Sequence, residues 1–276
     1  MPTIAIDDLE DPRIAAYRSL KATNATRGLD HFVVEGDKLV DRLLRSRFPV
    51  ESILATDRFA AKHGGQLPDG LPLYVVPFGL VHELVGFPFH RGVLACGRRL
   101  PWPPAGEIVG RGGRSMTLAI CPKISNPENL GAIARIGDVL GIDGILTGPS
   151  CPDPLSRRVL RVSMGSALSL PILVEEHLGQ AVDRLVDESG LALWAAVADG
   201  SADPFDRHRR PARLGLVLGD EDEGVEAAWL ARCERSITIP MRPGAGSLNV
   251  AVAAGILLYH LAGDRRGTRD GSAPPA

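Results

Sequence analysis

The sequence predicts an α/β protein with a parallel sheet in its larger, C-terminal part and a small α/β domain before it. Three observations carry that expectation. From Met116 onward, short runs that are apolar at nearly every position, such as Met116–Cys121 and Leu214–Leu218, alternate with segments of helical periodicity. Runs of that kind are strands buried on both faces by helices. A looser alternation covers residues 31–96. Between the two, residues 98–115 are mostly Pro, Gly and Arg, which reads as a linker. The expected division is 1–97, linker 98–115, 116–262, and a tail from 263 to 276 rich in Gly, Arg, Asp and Pro that reads as disordered.

In order, Asp11 to Lys21 reads as a helix with Pro12 near its start. Strand His31–Val34 is followed by Glu35-Gly36 and by a helix over Asp37–Ser46, where Leu39, Val40, Leu43 and Leu44 fall at helical spacing. Ser52–Ala55, Leu73–Val76 and Gly92–Cys96 are further strands, with a short helix at Val81–Val85. The linker carries Arg98, Arg99, Arg111 and Arg114 and reads either as a solvated spacer or as a contact for RNA phosphates. Beyond it come strand Met116–Cys121, helix Asn129–Leu140, strand Gly144–Thr147, helix Pro154–Leu168 and strand Pro171–Val174. Helix Leu178–Glu188, strand Leu191–Val197, an Arg-rich loop at 207–213, strand Leu214–Leu218 and helix Val225–Cys233 follow. The last unit is strand Ile237–Ile239, ended by Pro240, then a Gly-rich loop with Ser247 at the position of a helix cap. The helix after it, from Val250 to Leu261, is apolar on nearly every side and is expected to be buried all round.

Composition narrows the function classes. The 276 residues carry a formal net charge of −2, so a nucleic-acid partner would need a local basic patch. Four scattered cysteines in apolar surroundings, with no C-x-x-C, suggest reduced thiols and a cytoplasmic protein. The seven histidines form no H-x-x-x-H pair with a nearby Glu, so no zinc site is expected. The first ten residues are acidic and lack an apolar core, so no secretory signal is expected, and the longest apolar run is too short to span a bilayer. No strand leads into G-x-G-x-x-G, no phosphate-binding loop ends in Gly-Lys-Ser/Thr, and no G-x-S-x-G elbow is present.

Polar residues gather after three of the later strands: Ser125-Asn-Pro-Glu-Asn129 to Arg135, Gly219-Asp-Glu221-Asp-Glu-Gly224, and Ile239 to Asn249. In doubly wound sheets, ligands sit at the carboxyl ends of strands. Asn129 alone could be a helix cap, and the carboxylates of 220–223 alone could be a solvated loop. Arg135 lies within an apolar helix and wants a partner or a ligand.

Together these clusters resemble the three motifs of the SpoU/TrmH group of SPOUT methyltransferases. The forms are N-x-G-A-I-x-R over Asn129–Arg135, L-V-L-G-x-E-x-E-G over Leu216–Gly224, and I-P-M with S-L-N-V over Ile239–Val250. Arg161–Gly165 also looks like a segment of that family, and residues 20–97 more loosely resemble its small ribosomal-protein-like RNA-binding domain. The resemblance implies a trefoil-knotted domain, S-adenosyl-L-methionine as cofactor, a homodimer formed through the knot, and 2′-O-methylation of RNA ribose. Ribosomal RNA is favoured over transfer RNA. The alternatives are a transfer-RNA enzyme or a non-catalytic RNA-binding assembly module. Carried over, Leu218, Gly219, Glu221, Ile239, Met241, Ser247 and Leu248 would hold the cofactor, and Asn129, Arg135, Glu221, Ser247 and Asn249 would form the active site. Asp220 departs from the family, which often has Ser or Asn there, and adds a negative charge beside Glu221.

Overall fold

The computed structural model describes residues 3–18, 20, 28–63, 65, 67–68, 70–86, 92–110, 115–242, 244 and 246–263. The elements in chain order are β1 (Thr3–Ala5), a 3₁₀ helix (Pro12–Tyr17), β2 (His31–Glu35), α1 (Asp37–Leu44), β3 (Val50–Thr56), α2 (Asp57–His63), β4 (Leu73–Val76), α3 (Phe78–Val85) and β5 (Val93–Arg98). Then follow α4 (Ala105–Val109), β6 (Met116–Cys121), α5 (Pro127–Leu140), β7 (Gly144–Thr147), α6 (Arg157–Val162), a 3₁₀ turn (Ser166–Leu168) and β8 (Ile172–Val174). The last are α7 (Leu178–Ser189), β9 (Ala192–Ala196), β10 (Asp203–Pro204), β11 (Arg213–Leu218), α8 (Ala227–Leu230), β12 (Arg235–Thr238) and α9 (Val250–Gly263).

The chain divides into two compact units: Met1–Pro101 with Asp153–Ser169, and Trp102–Pro152 with Leu170–Ala276. The first holds a five-stranded sheet in the order β1-β4-β3-β5-β2, in which β5 runs antiparallel to β2 and β3. Segment 153–169 groups with this unit through two ion pairs. Arg99 Nη2 lies 2.5 Å from Asp153 Oδ2, and Arg157 Nη1 lies 3.3 Å from Glu35 Oε2. Arg99, read as a possible RNA contact, is therefore committed to a buried carboxylate. Arg111 and Arg114 lie outside the described residues.

The second unit holds a seven-stranded sheet in the order β10-β12-β9-β11-β6-β7-β8, parallel throughout. Its strands are buried on both faces, as β6, β7 and β11 show at every position. That is why they read as unbroken apolar runs. The α/β class with a parallel sheet holds.

Several local expectations change. Residues 105–109 form a helix inside the supposed linker, because Ala105 and Val109 bury against the core beside α7. The first helix is a six-residue 3₁₀ segment capped by Asp11, whose carboxylate accepts from the Arg13 N–H; Lys21 lies outside the described residues. The helix expected over 154–168 breaks after Val162, where Met164 and Gly165 take φ of 53° and 86°. Strands β1 and β10 and helix α2 were not foreseen: two are edge strands of three and two residues. Helix α9 is not buried all round. Val252, Ile256 and Tyr259 are exposed on one stripe of it, Tyr259 by 62%. The tail from 264 lies outside the described residues.

Candidate active site

The three polar clusters leave one edge of the sheet. Strands β6, β11, β9 and β12 are neighbours and all parallel, so the loops that follow them emerge together. A cavity of about 460 Å³ opens there, lined by the ends of β9, β11 and β12 and the start of α9. Leu218, Gly219, Glu221, Ile239, Met241, Ser247, Leu248 and Asn249 all line it. Asp199, after β9, lines it too and was missed from sequence. The signal was available, since Ala196-Val-Ala-Asp199-Gly is another apolar strand that ends at a polar residue and a glycine.

The loop after β11 is shaped by its glycines and by Asp220. Asp220 and Gly224 exchange both backbone hydrogen bonds at 3.0 Å, which folds the loop back on itself. A Cβ on Gly219 would lie 2.1 Å from the Gly224 carbonyl carbon, so only glycine fits there. The Asp220 carboxylate, 8% exposed, accepts from the Ser125 hydroxyl at 2.6 Å and from the N–H groups of Asp222 and Glu223 at 3.0 and 3.4 Å. The extra charge is thus spent inside the loop and across to the strand β6 loop. The Ser125 hydrogen bond, then those backbone donors, hold the Asp220 carboxyl below the usual carboxylate range. Lys123 adds a second link, with Nζ 2.6 Å from Glu223 Oε2.

A depressed native pKa stabilises the fold above the unfolded value, near pH 4, and the stabilisation is lost as pH falls through the native value. Asp220→Ala is therefore expected to lower Tm by a few degrees at neutral pH. The gap between variant and wild type should close in acid. Thermal melts across pH measure it; a gap that stays constant into acid contradicts this role for Asp220.

Next to that loop is a three-residue hub. Asn129 is not the cap of α5, because Asn126 takes that place, with its Oδ1 accepting from the Glu128 N–H at 2.8 Å. Asn129 is one turn further in and 7% exposed. Its Nδ2 donates to Glu221 Oε1, and its Oδ1 accepts from Asn249 Nδ2 at 3.0 Å. Glu221 Oε2 also accepts from the Ser125 N–H at 3.3 Å. Asn249 Oδ1 accepts from Ala251 and Val252 N–H at 2.9 and 3.3 Å, so Asn249, not Ser247, caps α9. One Asn–Asn–Glu chain thereby joins the starts of α5 and α9 to the β11 loop. Ser247 and Leu248 stay exposed on the cavity rim, and their backbone N–H groups make no hydrogen bond among the described residues.

Arg135 is not brought to this hub. It is exposed on α5 and its side chain has no hydrogen bond or ion pair among the described residues. Four residues on, Val139 is 75% exposed on the same stripe of the helix. Among the described residues, no group of three or more His, Cys, Asp or Glu could hold a metal. No helix is long and apolar enough to cross a membrane.

The chain as a whole is similar to known proteins. The model of the SpoU rRNA methylase family matches residues 116–259. An uncharacterised tRNA/rRNA methyltransferase of Mycobacterium bovis is 35% identical over 260 residues, covering 91% of this chain and 89% of that relative. The chain belongs to the SpoU rRNA methylase family. A second relative, the 23S rRNA (guanosine(2553)-2′-O)-methyltransferase of Bacillus subtilis, is 26% identical over 258 residues, covering 94% of this chain and 99% of that one. The crystal structure of the AdoMet-bound rRNA methyltransferase from Sinorhizobium meliloti shares the fold. Its TM-score is 0.80 at 21% identity, covering 97% of this chain and 99% of that one. The SpoU family model spans the whole Asn129–Glu221–Asn249 hub and every cavity residue named above.

Proposed function

We propose that this SpoU protein transfers a methyl group from S-adenosyl-L-methionine to a ribose 2′-hydroxyl of RNA, ribosomal RNA before transfer RNA. The observation that carries the reading is the Asn129–Glu221–Asn249 hub at the mouth of a cavity of about 460 Å³. The cavity suits the cofactor chemically. Its size falls within the range of small-molecule sites. Leu218, Ile239, Leu248 and Leu257 supply apolar walls for an adenine ring, and the Ser247 and Leu248 N–H groups are unspent donors among the described residues. Asp199, Glu221 and Glu223 place carboxylates where a sulfonium and an ammonium would be welcome. When bound, the cofactor supplies a methyl group already activated by its positive sulfur.

The protein's task is then to align the ribose oxygen with that methyl and to ease the loss of the hydroxyl proton. Glu221 is occupied in holding Asn129, so it organises the hub. Ser247 stands on the rim, within the loop that meets the substrate. A guanidinium is a poor general base, so Arg135 is not given that role. Its part is to clamp a substrate phosphate and to stabilise negative charge growing on the attacking oxygen.

Arg135 reaches a substrate through a second copy of the chain. The exposed apolar residues Val139 on α5 and Val252, Ile256 and Tyr259 on α9 belong to two helices that pack together, and they form the face of a homodimer. Arg135 stands at the edge of that face. The domain also closes as a trefoil knot. In support, α9 starts from β12, two strands outside β11, yet packs on α5, the helix after β6. Strands β9 and β11 lie between β12 and β6 in the sheet, so the chain passes them on its way to α9. The first unit is the RNA-binding, ribosomal-protein-like part, joined to the knotted part near residues 98–115. The four free cysteines fit a cytoplasmic enzyme.

The test is methyl transfer from labelled S-adenosyl-L-methionine to total ribosomal RNA and to total transfer RNA, wild type beside Arg135→Ala. Label is expected in ribosomal RNA and is lost in the variant, with cofactor binding by calorimetry retained. In Arg135→Lys the pH–rate limb should stay in place, because arginine is not the base. Sedimentation should give twice the 29.4 kDa chain mass. Cofactor binding without transfer to either RNA would favour the non-catalytic module.

A further inference from the structure

The connection from β10 to β11 carries Arg207, His208, Arg209 and Arg210 in succession. Its neighbours pin it. Arg210 Nη2 donates to the Met116 and Ala212 carbonyls at 2.7 and 2.9 Å, and its Nε donates to Pro211 O at 3.0 Å. Arg213 Nη2 donates to the Val109 and Gly110 carbonyls at 2.7 and 3.0 Å. His208 Nε2 lies 3.0 Å from Asp203 Oδ2 and 2.9 Å from Arg235 Nη1, and its ring meets Trp194 edge-on. None of these contacts uses Arg207 or Arg209. Both are exposed, and neither side chain has a hydrogen bond or ion pair among the described residues.

The loop and the end of α9 enclose a hollow of about 220 Å³. Arg207, His208, Arg209, Arg210 and His260 line it, with Asp206 as its one carboxylate among the described residues. The His260 ring is held edge-on by Phe205, 4.8 Å between centroids. Asp203, on β10 at the start of this connection, is engaged by His208 and Arg235. Two guanidinium groups, those of Arg207 and Arg209, therefore face water on a pinned backbone beside the fixed Arg210, with one acidic side chain among them in the described residues. Held cations repel one another, and the arrangement is relieved by a multivalent anion. In a chain of net charge −2, this is the kind of local patch that a nucleic acid requires.

We propose that this hollow receives phosphodiester groups of the substrate RNA, away from the ribose that is methylated. The assignment rests on the RNA reading above. Val250 lines the cofactor cavity and His260 lines the hollow, ten residues apart on α9. The axial separation is about 15 Å, a span of a few nucleotides. Arg207 and Arg209 present planar forks suited to phosphate oxygens. Arg210 supplies charge from a fixed place. The hollow reads no base, so it adds affinity and register without sequence preference.

The test uses the full chain in three forms: wild type, Arg207→Ala/Arg209→Ala, and Arg207→Lys/Arg209→Lys. Binding of fluorescein-labelled polyuridylate is followed by anisotropy over a potassium chloride series. The alanine pair should weaken binding by roughly tenfold and flatten the plot of log affinity against log salt by about 1.4, at about 0.7 for each single-strand phosphate contact. The lysine pair should restore the slope. In methyl transfer to ribosomal RNA, the alanine pair should raise KM for the RNA, with the effect on KM and not on kcat. Cofactor affinity by calorimetry should match wild type and report an intact fold. An alanine pair with the wild-type slope and KM overturns the proposal. So does a loss of self-association in that variant with the slope unchanged, which assigns the loop to a contact between copies. A wild type that binds RNA with the expected slope but transfers no methyl group defeats the enzymatic reading and leaves this assignment standing.

Discussion

Asn129→Ala should reduce kcat for methyl transfer by about a hundredfold to a thousandfold, the range seen when one aligned polar donor is removed from an active site. Asn129 is the only described residue that touches both Glu221 and Asn249 through its side chain. Without it, the Glu221 carboxylate loses its amide donor and is held only by the Ser125 N–H at 3.3 Å. Asn249 loses its acceptor but keeps its cap on α9, through the Ala251 and Val252 N–H groups. The fold should therefore survive, at a cost of about 1–3 kcal/mol for the polar groups left unpaired. Asn129→Asp separates charge from shape. It keeps an acceptor for Asn249 but sets a second carboxylate against Glu221. Two close carboxylates resist ionising together, so one should hold a proton and bridge the pair at lower pH. Asn129→Asp should thus be poor at neutral pH and recover in mild acid, whereas Asn129→Ala should not recover. Rates across pH for the two variants decide it. An alanine variant within threefold of wild type would remove the hub from the mechanism.

Gly219→Ala should abolish measurable cofactor binding at concentrations that saturate wild type. The added Cβ would sit 2.1, 2.3 and 2.4 Å from Gly224 C, Gly224 O and Val225 N. All three are backbone atoms, so no rotamer can relieve the clash. The return of the chain at Asp220–Gly224 has to open, and it carries Glu221 and Glu223 with it. Overpacking of this sort costs about 1–3 kcal/mol of stability. The effect on the site is larger, since a displacement of about 1 Å can cost about a hundredfold in function. Gly224→Ala is the useful contrast. Its Cβ meets nothing within 4 Å, but its φ of 70° strains any L side chain. That variant should lose a smaller share of affinity. Calorimetry on both variants, with thermal melts to verify folding, measures this; equal affinities for Gly219→Ala and wild type would show that the loop does not shape the cavity.

Motif chemistry was legible where it depends on neighbours in sequence. Continuous apolar runs announced a sheet covered on both faces, and polar residues at strand ends announced the cavity edge. Eight lining residues were named from sequence, and Asp199 was missed because the strand before it was read for its apolar pattern alone. Caps were misread by a few positions. Asn126 and Asn129 both look like caps, as do Ser247 and Asn249, and which asparagine faces its own helix depends on the entry angle of the chain. The exposed stripe of α9 was hidden by composition. A helix that is apolar all round gives no clue to which side stays open.

By itself the sequence determined the α/β class, the parallel character of the second sheet and the set of polar residues that the site can draw on. These follow from periodicity, backbone chemistry and turn residues, all of which act within about one helical turn or one strand. Only the tertiary structure decided which of those residues meet. Asn129, Glu221 and Asn249 are 92 and 28 positions apart along the chain. They come together because β6, β11, β9 and β12 are neighbours in one sheet, in an order the sequence does not spell out. The same order turned Asp220 from an unwanted charge into the acceptor for Ser125, and it left Arg135 facing outward. Contacts between distant loops depend on strand order, and strand order is settled by the packing of the whole domain.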